Sequence, residues 1–211
     1  MTRGKFITLE GGEGVGKSTQ VKALAEALRK RGIDVLVTRE PGGSPGAEGI
    51  RELLLGGVEE RWGARAEALL FAAARADHVE KTIRPALEAG RWVVSDRFVD
   101  SSLAYQGGAG GLTIEKVREI NAFGIDGCYP DRTYVLLFGQ GGKEALERAK
   151  ARDRGESDRI GGRSLHFHYE VFLAFQIIAA EEPERVRLVD ASGTPDHVTE
   201  MLLRDLADLL P

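Results

Sequence analysis

The stretch Gly11-Gly12-Glu13-Gly14-Val15-Gly16-Lys17-Ser18-Thr19 fulfils the pattern G-x-x-x-x-G-K-[ST] in full. Glycines let a backbone turn tightly and aim consecutive N–H groups at phosphate oxygens. A helix starting at the end of such a loop adds the positive end of its dipole. Lys17 is expected to reach the β- and γ-phosphates of ATP, and Ser18 to ligate Mg²⁺ through its hydroxyl. A short glycine-rich stretch is often just a turn. Here an apolar run at 6–10 enters the pattern and helical spacing from Val21 leaves it, which favours the phosphate site. The loop implies nucleotide binding but leaves the reaction open, because kinases, GTPases, motor ATPases and amide-forming synthetases all use it.

A second candidate is Trp92-Val93-Val94-Ser95-Asp96-Arg97, an apolar run ending in an acid and a cation. In a doubly wound sheet, ligands sit beyond the carboxyl ends of the strands, so Asp96 and Arg97 should face the phosphates. Asp96 could hold Mg²⁺ or its water shell, and Arg97 could clamp an acceptor phosphate. A structural ion pair at a strand end is the alternative for this pair. Switch and motor ATPases have no evident need for a cation there, whereas a kinase holding two anionic phosphates does.

These groups need a frame. Runs rich in β-branched and aliphatic residues at 6–10, 35–38, 92–95, 134–138 and 186–189 predict five strands. Several are continuously apolar, as strands covered on both faces are. Val21, Leu24, Ala25 and Leu28 give one apolar helical face. Alanine-rich 64–87 predicts one long helix or two. Ile114, Val117, Ile120 and Phe123 mark another, 165–180 another, and Val198, Met201, Leu202 and Leu209 the last. Alternating strands and helices predict an α/β fold with a parallel sheet covered on both sides. Gly107–Gly111, with four glycines in five residues, reads as a mobile surface loop. Residues 148–163 carry six basic residues, three acidic ones and three glycines, which suits a solvated helix face or a moving lid.

Thr38-Arg39-Glu40-Pro41-Gly42-Gly43, Phe71-Ala72-Ala73-Ala74-Arg75, Asp96-Arg97-Phe98 and Ser101-Ser102-Leu103-Ala104-Tyr105-Gln106-Gly107 follow the phosphate loop in order. Together with Pro130-Asp131, Asp158-Arg159 and Asp190-Ala191-Ser192, they make the chain resemble the thymidylate kinase family over essentially its whole length. The resemblance implies a P-loop kinase fold in a single domain, 1–211, with a basic lid at about 148–163. It implies ATP-dependent phosphorylation of dTMP to dTDP with Mg²⁺, in a homodimer formed through helices beside the sheet. Phe71 would stack on thymine and Arg75 would hydrogen-bond the base, roles that suit an aromatic face and a planar guanidinium. Ser102 and Gln106 would add polar base contacts, and Tyr105 would crowd the sugar 2′ position. Glu13 would accept from the 3′-hydroxyl, with Arg39 and Arg97 near the acceptor phosphate. A core aromatic on a helix is the alternative for Phe71.

Some relatives carry an arginine just after the acid of the phosphate loop. Gly14 stands there in this chain, so the resemblance implies catalytic cations supplied by the lid: Arg152, Arg154 and Arg159, with Arg154 and Arg159 matching best. Two departures concern the same region. Leu137-Phe138-Gly139 stands where relatives often show an acid, and Gly161-Gly162-Arg163 follows Ile160 where an acid is common. A kinase for another nucleotide acceptor and a nucleotide-switch ATPase remain the alternatives.

Composition agrees with a cytoplasmic domain: 211 residues, 42% hydrophobic, 29% charged and a net charge of -4. That balance argues against a general nucleic-acid or membrane-surface binder, so cations for a phosphate site must be gathered locally. Cys128 is the only cysteine, which excludes an intramolecular disulfide. The early apolar run is too short for a signal peptide. His78, His166, His168 and His197 lack zinc-protease spacing; His78, one turn after Arg75, could border the acceptor site but is expected at the surface or at a helix end.

Overall fold

The computed structural model describes residues 3–58, 61–139, 143–152 and 158–210. Five parallel strands form one sheet in the order β2-β3-β1-β4-β5: β1 Phe6–Glu10, β2 Val35–Arg39, β3 Trp92–Asp96, β4 Arg132–Leu137 and β5 Val186–Asp190. The helices are α1 Lys17–Arg29, α2 Pro45–Leu55, α3 Ala64–His78, α4 Arg84–Glu88, α5 Val99–Ser102, α6 Ile114–Ile125, α7 Lys143–Arg152, α8 Leu165–Glu181 and α9 Pro195–Asp205. None of the described helices is long and apolar enough to cross a membrane.

The strand side chains alternate between two cores. Ile7, Leu9, Val94, Tyr134 and Leu136 pack under α1 and α9. Phe6, Val93 and Val135 belong to the opposite side, under α4, α6 and α8. The three central strands are therefore buried on both faces. The edge strands β2 and β5 alternate buried and exposed positions. The fourth strand begins two residues before the apolar run at 134–138, because Arg132 is a strand residue whose charge is answered by Asp205 and Asp208.

Further features depart from the sequence pattern or add to it. Helix α2 starts where Ser44 Oγ accepts the Ala47 N–H and Pro45 occupies the first turn, a capping signal stronger than its interior glycines suggest. The run from 64 to 88 is continuous, with a wider π-helical turn at Val79–Ile83 joining α3 to α4. Gly107–Gly111 is not a free loop. A π-helical turn Leu103–Gly108 carries its start into the core, and a β-carbon on Gly108 would lie 2.4 Å from Ala174 Cβ of α8. Phe123 of α6 points outward, 93% exposed.

The sheet face toward α5 carries a buried polar column. Thr8 and Thr133 hydroxyls pair at 2.7 Å, and Thr133 Oγ1 donates to Asp100 Oδ2. Arg185 clamps both Asp100 oxygens, each at 2.7 Å. Beside them, Glu10 accepts from the Phe98 N–H at 2.7 Å and from Ser101 Oγ at 2.6 Å. Burial, with the Asp100 charge adding to it, pushes the Glu10 carboxyl up to about 8. These contacts fix α5, and with it the segment that follows Asp96, to the ends of β1 and β4.

Two stability predictions follow from this column. Arg185→Met leaves Asp100 buried without its counter-ion and should destabilise the fold by about 3–5 kcal/mol in urea titration. Arg187→Met, which loses only longer ion pairs at the surface, should stay within about 1 kcal/mol. Glu10 binds its proton more tightly folded than unfolded, so its contribution is full below the usual carboxyl range and is lost as pH rises towards about 8. Glu10→Gln should therefore gain stability relative to the wild type between pH 5 and 8.5, read as the difference in Tm. A pH-independent difference would refute the protonated carboxyl.

Candidate active site

After β1 the chain turns through Gly11, Gly14 and Gly16, all at positive φ, and α1 starts at Lys17. Val15 is buried in the core beneath and anchors the loop there. At Gly14, φ is 74° and a β-carbon would lie 1.9 Å from the Ala145 carbonyl oxygen of α7. Any side chain at position 14 would collide with backbone.

Lys17 Nζ lies across the loop and donates to the carbonyls of Gly11 (3.2 Å) and Gly12 (2.6 Å). Burial, aided by the Arg97 charge, brings its ammonium down to about 8. A polyphosphate beside it would favour the charged form. Ser18 Oγ donates to Asp96 Oδ2 at 2.7 Å, so the hydroxyl and the carboxylate of the two candidate metal residues meet. Among the described residues, no cluster of three or more His, Cys, Asp or Glu converges. One hydroxyl and one carboxylate beside a phosphate cradle fit Mg²⁺, which keeps waters and takes its remaining oxygens from phosphates. Thr19 is exposed and lines the same cleft.

Arg97 follows Asp96 with φ 72°, a left-handed conformation rare for a residue with a side chain. Its guanidinium donates to Gly11 O and Ser101 Oγ, both at 3.0 Å, to Glu13 Oε1 at 2.6 Å and to Tyr105 OH at 3.2 Å. One side chain thus ties the phosphate loop to the start of the acceptor region. Tyr105 is buried, with its ring edge-on to Phe167 and Phe175.

The cleft, about 280 Å³, brings together Glu13, Gly14, Gly16, Lys17, Ser18, Arg39, Phe71, Arg75, Asp96, Arg97, Ser102, Tyr105 and Gln106. Phe71 is half-buried on α3, packed at the margin of the core. Arg39 is half-exposed and donates to Glu48 at 3.0 Å. Arg75 is almost wholly buried. It donates to Glu40 Oε2 (2.8 Å), Ser102 Oγ (3.0 Å), Phe98 O (3.0 Å) and Asn121 Oδ1. His78 is not at the surface. It is fully buried, with Nδ1 3.0 Å from Glu40 Oε1 and Nε2 2.7 Å from Thr38 Oγ1.

Residues 158–163 cross the rim of the cleft. Arg159 is buried, donates from Nε to Leu54 O at 2.8 Å and pairs with Glu67 Oε2 at 2.6 Å. Arg163 reaches the same oxygen at 2.7 Å, and Gln106 Nε2 donates to Glu67 Oε1 at 3.0 Å. Arg154 and the side chain of Arg152 lie outside the described residues.

The structure adds residues that the sequence pattern did not single out. Arg51 of α2 lines the cleft, donating to Pro41 O at 2.6 Å. Burial, followed by repulsion from Arg39, lowers its pKa. The capped start of α2 was the signal that would have placed it. Glu40 stood in a signature segment without a role and Glu67 in none, because their partners lie far along the chain.

The chain's residues 9–202 match the family model described as thymidylate kinase. It is 61% identical to the thymidylate kinase of Rhizorhabdus wittichii over 208 residues, covering 99% of both chains. It is 48% identical to that of Afipia carboxidovorans, over 99% of this chain and 93% of the relative. The crystal structure of thymidylate kinase from Ehrlichia chaffeensis superposes with a TM-score of 0.77 at 32% identity, covering 97% of this chain and 98% of that one. A phosphate loop and a cationic, aromatic-lined pocket in one cleft, on a match of this extent, make the chain a member of the thymidylate kinase family.

Proposed function

We propose that the protein phosphorylates dTMP to dTDP with ATP, by direct attack of an acceptor phosphate oxygen on the γ-phosphorus, as a step towards DNA precursors. The observation that carries this reading is the Arg97 guanidinium, which joins Glu13 of the phosphate loop to the pocket containing Phe71 and Arg75. A switch ATPase has no use for that second pocket.

Gly11 to Thr19 cradle the donor phosphates, with Lys17 neutralising charge on the β- and γ-groups. Arg39, Arg51 and Arg97 hold the acceptor phosphate, which leaves one oxygen free to attack in line while the bond to the leaving β-phosphate oxygen breaks. Phe71 offers a face to thymine, Arg75 a donor to its carbonyl, and Ser102 and Gln106 further polar contacts. Tyr105 excludes a 2′-hydroxyl, and Glu13 accepts from the 3′-hydroxyl. Ser18 and Asp96 would hold Mg²⁺, which spreads negative charge away from the transferring group when bound.

The chain belongs to the type that keeps arginine out of the phosphate loop, a reading supported by the backbone that blocks position 14. Arg154 and Arg159 then carry catalytic charge from the lid at about 148–163, in a single domain spanning 1–211. The protein works in the cytoplasm as a homodimer. Helices α3 and α6 pack on each other and still leave Leu69 and Phe123 in solvent, which suits a subunit contact.

ADP release with Mg·ATP should be strongest with dTMP, modestly lower with dUMP and weak with UMP, CMP, GMP or AMP, and Lys17→Ala should lower kcat by about 10²-fold or more. Turnover independent of the acceptor would point to a switch ATPase instead. Phe123→Asp should shift the dimer towards monomer in analytical ultracentrifugation; an unchanged dimer would place the contact elsewhere.

A further inference from the structure

Glu67 lies on α3 one turn before Phe71, is only 3% exposed, and touches both the base pocket and the lid root. Its Oε1 takes a hydrogen from Gln106 Nε2, and its Oε2 is shared by Arg159 and Arg163. A carboxylate accepts only, so the Gln106 amide cannot turn its oxygen towards Glu67 without placing two acceptors face to face. The amide is locked. One of the two Nε2 hydrogens is held by Glu67, which fixes the orientation of the amide, and its Oε1, to which no described residue donates, is the acceptor Gln106 has to offer the cleft it lines.

The neighbouring group is of the opposite kind. Arg75 has no acceptor atom, so its guanidinium presents donors only. A pocket with a fixed donor and a fixed acceptor reads a base edge that offers a carbonyl beside a ring N–H. A thymine or uracil edge has that pattern. Cytosine reverses it, with an amino group beside an unprotonated ring nitrogen. We propose that Glu67 is the positioning residue that sets the polarity of base recognition, by fixing Gln106 as an acceptor, while its other oxygen holds Arg159 and Arg163 at the rim of the cleft. The proposal rests on the reading of this cleft as the dTMP site.

Polarity is worth more than fit here. Rejecting a base by a missing methyl gives modest discrimination, whereas facing acceptor with acceptor leaves buried polar groups unpaired. Glu67 is not among the residues that line the cleft, so its replacement should act on base choice by letting the Gln106 amide turn over rather than by removing a direct contact.

The test compares dTMP with 5-methyl-dCMP, which keeps the methyl group and reverses the donor and acceptor at the ring edge. Wild type should favour dTMP strongly in kcat/KM. Glu67→Gln, whose side chain can pair with either end of the Gln106 amide, should reduce that ratio at least about tenfold. The KM for ATP should remain within about twofold. Because Glu67→Gln also uncouples two arginines, Glu67→Asp provides a second variant that keeps the charge but withdraws it from Gln106, and it should lower the ratio as well. In a double-mutant cycle with Gln106→Ala, the effects on the ratio should fail to add. A general folding defect would slow both substrates together and leave the ratio unchanged. An unchanged ratio in folded Glu67 variants overturns the proposal, whereas a wild type that does not phosphorylate dTMP overturns the reading of the cleft.

Discussion

The site depends on the conformation of Arg97. A left-handed backbone at a residue with a side chain costs about 1–2 kcal/mol, so it persists only where the surroundings fix it. Two sets of contacts do so here. Glu10 receives the N–H of the next residue and the hydroxyl of Ser101, which holds the turn after β3. The guanidinium then spans Gly11 O, Ser101, Glu13 and Tyr105. An extended backbone at this position would swing the side chain off the loop. The phosphate loop and the acceptor pocket would then lose the group that registers one against the other.

The turn is held by polar groups that a purely apolar core would lack. Thr8, Glu10 and Thr133 occupy the sheet face under α5, and Asp100 of α5 meets them there, where an α/β protein usually packs aliphatic side chains. Buried ionic groups of this kind add little net stability, because desolvation offsets most of the attraction. Their consequence is direction. A hydrocarbon face would allow α5 to slide, whereas a bidentate Arg185–Asp100 pair and a carboxyl bonded to Phe98 N–H admit one placement.

Much of this was legible in the sequence, for reasons that differ by element. The phosphate loop, the central strands and the Asp96-Arg97 step show locally, since each depends on neighbours within a few residues. The family likeness supplied Phe71, Ser102, Tyr105 and Gln106, which periodicity alone assigns to a core. Other features were hidden because their causes lie at long range. His78 is buried because Thr38 and Glu40 meet it from another part of the chain. Four glycines at 107–111 suggest freedom, but Gly108 is small because α8 passes against it. Arg159 looked like one of several lid cations, and only the fold shows that Glu67 and Leu54 O receive it.

The charges of the cleft explain how an acidic protein can hold two phosphorylated ligands. Lys17, Arg39, Arg51, Arg75 and Arg97 all line it, and unanswered they would repel one another. Arg39, Arg75 and Arg97 are each met by an acid, respectively Glu48, Glu40 and Glu13. The acids therefore aim the cations as well as neutralise them. Lys17 shows where the compensation is incomplete, since burial and the Arg97 charge bring its pKa to about 8. An incoming phosphate supplies the missing negative charge, and the ammonium is then fully charged where the reaction needs it. Cations already fixed by their own acids require little reorientation when charge develops on the transferring group. The acidic partners of the site are thus part of the device that stabilises an anion.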